Sequence, residues 1–170
     1  MAVLGLRSLL LSHVEARLAV SGKYEDGGNH RGSVFRLRVG QAMIERDGLH
    51  DLYPEWADGS SAGAEIRKQE LAHERRVSEY IRDLPFLWVR VDDGPSPDSR
   101  RAYLEQNLIA LVSSYGNSSV DPRDSQWLGN HSRSDAILQS GLWNVNHVDE
   151  AYDPAFLDTL EEQMSKTTPI

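Results

Sequence analysis

The chain has 170 residues, enough for one domain with a real core, and its 39% hydrophobic and 26% charged residues suit a globular protein rather than a disordered one. It contains no cysteine, which excludes disulfides, thiolate metal sites and cysteine nucleophiles. A formal net charge of −8 argues against nucleic-acid binding over the whole surface but leaves room for a local basic patch.

Of the 18 basic residues only Lys23, Lys68 and Lys166 are lysines; the rest are arginines. Arginine forks suit phosphates and carboxylates, although a base-rich genome or a high-salt host produces the same bias. Met1–Ser12 holds several leucines, but Arg7 interrupts them and the run is too short to span a bilayer. No targeting segment is recognisable, and the expected location is cytoplasmic.

In chain order, Val3, Leu4, Leu6, Leu9, Leu10, Val14 and Leu18 give an amphipathic helix pattern, with a short strand at Leu18–Val20 as an option. Gly22–Arg31 reads as a turn. Ser33–Val39 alternates Val34, Arg36 and Arg38 with Phe35, Leu37 and Val39, so it is expected as a strand that Gly40 ends. On that strand Arg36 and Arg38 share one face, solvated or aimed at a phosphate. Gln41–Glu65 begins as a short helical turn and continues as a long loop. Tyr53 and Trp56 in it are expected to pin the loop to the core rather than stack on bases.

Ile66–Asp83 is expected as a helix with a stripe of Leu71, Val77, Tyr80 and Ile81, stopped by Pro85. Phe86–Val91 is expected as a second, central strand. Arg100–Gly116 is the focal helix, with Leu104, Leu108, Ile109, Leu111 and Val112 as its apolar stripe. Glu105 sits beside that stripe and needs a partner, either an arginine (Arg75, Arg76 or Arg101) or a divalent metal. A loop-rich stretch follows, with a short helix at Asp135–Ser140. Trp127 and Trp143 are expected as anchors of that stretch. A last helix spans Ala155–Met164, led in by Asp153 and Pro154, and a frayed end is expected at Ser165–Ile170.

The expected fold is therefore α/β of the α+β type. A small mixed or antiparallel sheet is flanked by helices in a single domain 1–170, with a core of about 18–116 and a loop-rich C-terminal extension 117–170.

No GxSxG, Walker loop, GxGxxG or HExxH is present. His131, His147, Asp135 and Asp149 fall close together, but their spacing matches no standard metal site, and they read as surface polar residues. What remains is an ordered set: FRLRVG at Phe35–Gly40, RRVSEY at Arg75–Tyr80, YLEQNLIALVSSYG from Tyr103, and GLWNVN at Gly141–Asn146. This set resembles the GIY-YIG nuclease superfamily, particularly its restriction-endonuclease branch. FRLRVG stands where the family's second strand ends in Tyr-Val-Gly. RRVSEY is similar to the helix with the family's arginine, YLEQN to the helix with its metal-binding glutamate, and GLWNVN to the Trp-Asn element after it.

The resemblance implies hydrolysis of DNA phosphodiester bonds with one divalent cation, Mg²⁺ or Mn²⁺. It makes Glu105 the metal ligand and Arg76 the cation on the scissile phosphate. Asn144 would orient the metal shell or a water. A tyrosine usually activates the water in this family. Here Arg38 stands at the tyrosine position of Tyr-Val-Gly, Tyr24 is the nearest upstream tyrosine, and Tyr80 takes the place of a histidine four residues after the arginine. The base role then falls to Tyr80 or Tyr24, or the activity has changed. The resemblance thus leads to a DNA endonuclease in a restriction or defence setting. The alternative is a non-catalytic nucleic-acid-binding or protein-interaction module on the same fold. No membrane partner is expected, and a monomer and a homodimer stay equally open.

Overall fold

The computed structural model describes residues 27–85, 88–94, 96–116 and 122–167. The expected N-terminal helix, the optional strand at Leu18–Val20, Tyr24, and residues Phe86 and Leu87 of the expected central strand lie outside the described residues. Five α-helices are labelled here: α1, Val34–Asp47; α2, Ala64–Asp83; α3, Arg100–Val112; α4, Asp135–Ser140; and α5, Phe156–Ser165. Short 3-10 turns lie at His30–Gly32 and Leu128–His131.

The expected sheet is corrected by this architecture, because no strand occurs among the described residues. Ser33–Val39 is not a strand but the first turns of α1. The Ser33 side chain accepts a hydrogen bond from the Arg36 amide and starts the helix. Gly48, at φ 65°, ends it in the left-handed conformation. The alternation that suggested a strand is only six residues long. Phe35, Val39, Ala42 and Met43 carry the helical period through Gly40, and this longer signal wins.

Gly40 does not stop the chain; it makes room. A Cβ there would lie 2.2 Å from Trp56 Cζ2, so only glycine lets the indole lie against α1. Trp56 then donates from Nε1 to the Leu37 carbonyl at 3.2 Å. The second expected strand is also absent in its described part: Trp88–Val91 carries no regular structure, and the Arg90 amide bonds the Thr167 hydroxyl beyond α5.

The expected helices at Ile66–Asp83, Arg100–Gly116, Asp135–Ser140 and Ala155–Met164 are present, with α3 ending earlier, at Val112. Ser99 caps α3 by accepting from the Ala102 amide. Asp153 leads into α5 by accepting from the Ala155 amide.

Three apolar clusters hold the helices. The first joins α1, α2 and the turn at Leu128–His131 through Val39, Met43, Ile44, Val77, Ile81 and Leu128, with Tyr53 and Trp56 pinned in from the loop after α1. The second is Leu104 and Leu108 of α3 against Phe156 of α5. The third is Ile109 of α3 against Leu142 and Val148.

Both ends of α1 reach the same stretch of α2: Arg36 meets Glu74 and Ser78, Gly40 meets His73, and Asp47 meets Arg76. The twelve residues from Arg36 to Asp47 cover about 18 Å and the six from His73 to Ser78 about 9 Å, so the two helices cross rather than run side by side.

Candidate functional site

The inner stripe of α2 is largely polar. Glu70, His73, Glu74, Val77, Ser78 and Ile81 are its buried residues. Two of its carboxylates, one turn apart, grip the segment before α1. Glu70 takes both arms of Arg31, at 2.5 and 3.0 Å. Glu74 accepts from the His30 amide at 2.7 Å and lies 2.9 Å from His30 Nδ1. Its other oxygen accepts from Arg36 Nη2 at 2.7 Å, and the same nitrogen reaches the Ser78 hydroxyl.

Burial pushes the Glu74 carboxyl up, but the hydrogen bonds from His30 and Arg36 outweigh it and hold the group below its ordinary value. Burial pushes His73 down, so its ring is neutral, with Nε2 2.9 Å from the Gly40 carbonyl. Gly28 completes the packing: a Cβ there would lie 2.0 Å from the Arg36 guanidinium carbon.

This network corrects one expectation. Arg36 does not present itself with Arg38 for a phosphate; it is 1% exposed and committed to Glu74. The sequence signal for the network was the pair of glutamates at i and i+4 among apolar residues of α2, facing a short run with His30, Arg31 and Arg36.

The remaining site residues fall on two faces. On the first, Arg76 reaches Asp47 Oδ2 at 2.5 Å. Asp47 also takes both arms of Arg46. The hydrogen bond from Arg46, with the one from Arg76, lowers the Asp47 carboxyl to about 2. Tyr80, one turn further on, meets the edge of Trp143 with ring centroids 6.4 Å apart. Burial pushes the Tyr80 phenol up, against a hydrogen bond from Trp143 that favours the ionised form. Arg38 is half-buried on α1, bonded to the Gln41 side chain at 3.1 Å.

On the second face, Glu105 is exposed on α3. Its expected arginine partners are engaged elsewhere in two cases: Arg76 with Asp47 and Arg101 with Asp93. Glu105 forms no ion pair among the described residues.

One loop joins the two faces. Leu142 packs on Ile109, one turn after Glu105, while the next residue, Trp143, packs on Tyr80, Phe35 and Trp127. Asn144 follows, half-buried. Adjacent side chains thus anchor in different clusters, and the Trp-Asn element bridges the α2 and α3 residues. The Tyr53, Trp56 and Trp143 anchoring roles expected from sequence are all seen.

No group of three or more histidine, aspartate, glutamate or cysteine side chains that could hold a metal exists among the described residues. No described helix is long and apolar enough to cross a membrane. No curated protein and no solved structure matches the chain. A family model described as GIY-YIG domain matches residues 6–170, nearly the whole chain, and points to a nuclease-type function. The chain belongs to the GIY-YIG domain family.

Proposed function

We propose that this protein is a metal-dependent endonuclease that hydrolyses DNA phosphodiester bonds. One observation carries the reading beyond family membership: the loop at 141–148 ties the helix of Glu105 to the helix of Arg76 and Tyr80 through Leu142 and Trp143. A nuclease needs a carboxylate and a phosphate-binding cation held at fixed separation, and a loop anchored on both helices supplies that.

Glu105 is the residue that would hold Mg²⁺ or Mn²⁺. It offers a hard oxygen donor with no basic partner among the described residues, which suits a cation that keeps most of its waters. Such an ion supplies charge neutralisation at the scissile phosphate when bound. Arg76 contacts the phosphate once it leaves Asp47, and its charge offsets that of the transition state. Tyr80, whose phenol burial pushes up, donates a hydrogen bond to a phosphate oxygen. Asn144 orients a water, and Arg38 lies along the DNA backbone.

The second reading, a non-catalytic module that binds nucleic acid or protein, is favoured by the Arg76–Asp47 contact, which occupies the key guanidinium. Cleavage of supercoiled plasmid with Mg²⁺ or Mn²⁺ separates the two. The nuclease reading expects nicking or linearisation by the wild type and none by Glu105→Ala. A folded wild type that leaves the plasmid intact with both ions supports the module instead.

A further inference from the structure

The nuclease reading leaves one role unfilled on the described residues, that of the group that takes a proton from the attacking water. His147 stands three residues beyond Asn144 in the bridging loop. Its backbone lies at φ 60°, a left-handed conformation that few residues with a side chain adopt. Its Nδ1 is 2.7 Å from Glu150 Oε1. Gln106 Nε2 donates to the other Glu150 oxygen, also at 2.7 Å. Gln106 is the residue next to Glu105 on α3. The loop is fixed on the same helix by Val148, whose side chain is buried against Ile109 and whose carbonyl accepts from the Ser113 hydroxyl.

The His147 side chain is 38% exposed, and its Nε2 has no hydrogen-bond partner among the described residues. A carboxylate on Nδ1 selects the tautomer protonated there and leaves the Nε2 lone pair open to solvent.

We propose that His147, oriented by Glu150, takes the proton from the attacking water; this rests on the nuclease reading above. The water oxygen forms the new P–O bond while one of its O–H bonds breaks and the proton passes to His147 Nε2. The P–O bond to the leaving sugar oxygen breaks with its electron pair, and that oxygen takes a proton from solvent. Glu150 offsets the charge gained by the ring, which afterwards returns its proton to solvent.

Single-turnover plasmid cleavage with Mg²⁺ tests the step in the wild type, Glu105→Ala and His147→Asn. Asparagine tolerates the left-handed backbone, and thermal melting checks that the variant folds. The expected loss in His147→Asn is roughly 10²- to 10⁴-fold, with part of the rate restored to His147→Gly by added imidazole. A wild-type rate in His147→Asn, with Glu105→Ala inactive, overturns the His147 role and leaves the nuclease reading standing. A folded wild type that does not cleave overturns both. A readout independent of activity is the ¹⁵N spectrum of the His147 ring in the resting protein. The neutral ring is expected to carry its proton on Nδ1 and to lose that preference in Glu150→Gln; a ring protonated on Nε2 overturns the proposal.

Discussion

Glu74→Gln is the sharpest test of how this protein is held together. The substitution keeps the side-chain volume and removes the charge. Arg36, 1% exposed, then keeps its guanidinium in the core with no carboxylate. The amide can still accept from one donor, yet Glu74 now serves the His30 amide, the His30 ring and two nitrogens of Arg36. Removing one partner of a buried ion pair costs about 3–5 kcal/mol. Against a total stability of about 5–15 kcal/mol this is a large share.

For a domain of this size each kcal/mol moves the melting temperature by roughly 2–4 °C, so a drop on the order of 10 °C is expected by calorimetry or circular dichroism. The paired replacement Arg36→Met with Glu74→Leu should recover only part of the loss, because it removes the stranded charge but leaves the buried His30 amide without its acceptor. The same network sets the acid response. Glu74 has a folded-state pKa below its ordinary value, so its contribution is present above that ordinary value and disappears as pH falls through the lowered one. His73 acts in the same direction: its lowered folded-state pKa costs stability as pH falls below its ordinary value of 6.5. Stability should therefore decline from about pH 6.5 downward, and Glu74→Gln should flatten the lower part of that decline. A Glu74→Gln protein that melts within 2 °C of the wild type would falsify the network as a source of stability.

Two further outcomes test the packing and the surface. Gly40→Ala places a methyl group 2.2 Å from the Trp56 ring, so Trp56 has to move; a destabilisation of about 1–3 kcal/mol and a changed tryptophan emission are expected, and unchanged emission with unchanged melting would count against this contact. DNA affinity should fall with salt, and the logarithmic slope should shrink by about one in Arg38→Ala or Arg76→Ala. The effect of Arg36→Met on that slope should be absent, since its guanidinium is buried; an equal reduction would show that Arg36 does reach phosphate.

The helices with long apolar periods were legible in the sequence. In α2 and α3 the stripe repeats over three turns or more, and no shorter pattern competes with it. Ser33–Val39 failed because alternation and helical periodicity coincide over six residues, and only Ala42 and Met43, past the supposed stop at Gly40, distinguish them. The role of Gly40 depends on Trp56, sixteen residues later, a tertiary contact that local pattern does not contain. Glu70 and Glu74 are one turn apart on α2, and that spacing alone does not say whether they are buried. Their burial depends on where His30, Arg31 and Arg36 arrive in space. Trp143 was recognisable as an anchor, but its neighbour Leu142 facing another cluster was not, because the loop has no period.

The arginines expected to meet DNA sort by what it takes to release them. Freeing Arg36 strands a buried carboxylate and a buried guanidinium, at the 3–5 kcal/mol of a broken internal pair. Freeing Arg76 is a different matter. Its side chain is 40% exposed, and its partner Asp47 keeps both arms of Arg46 after Arg76 departs. A half-exposed pair of this kind contributes about 0.2–1 kcal/mol. A hydrogen bond from a guanidinium to a phosphate, about 1.5–3 kcal/mol, exceeds that. The contact with Asp47 therefore keeps Arg76 ordered in the resting protein without withholding it from a phosphate. Asp47→Asn should leave cleavage near the wild-type level while Arg76→Ala lowers it, measured on the same plasmid under single-turnover conditions. Equal losses in the two variants would mean that Asp47 positions Arg76 for the reaction and does not merely store it.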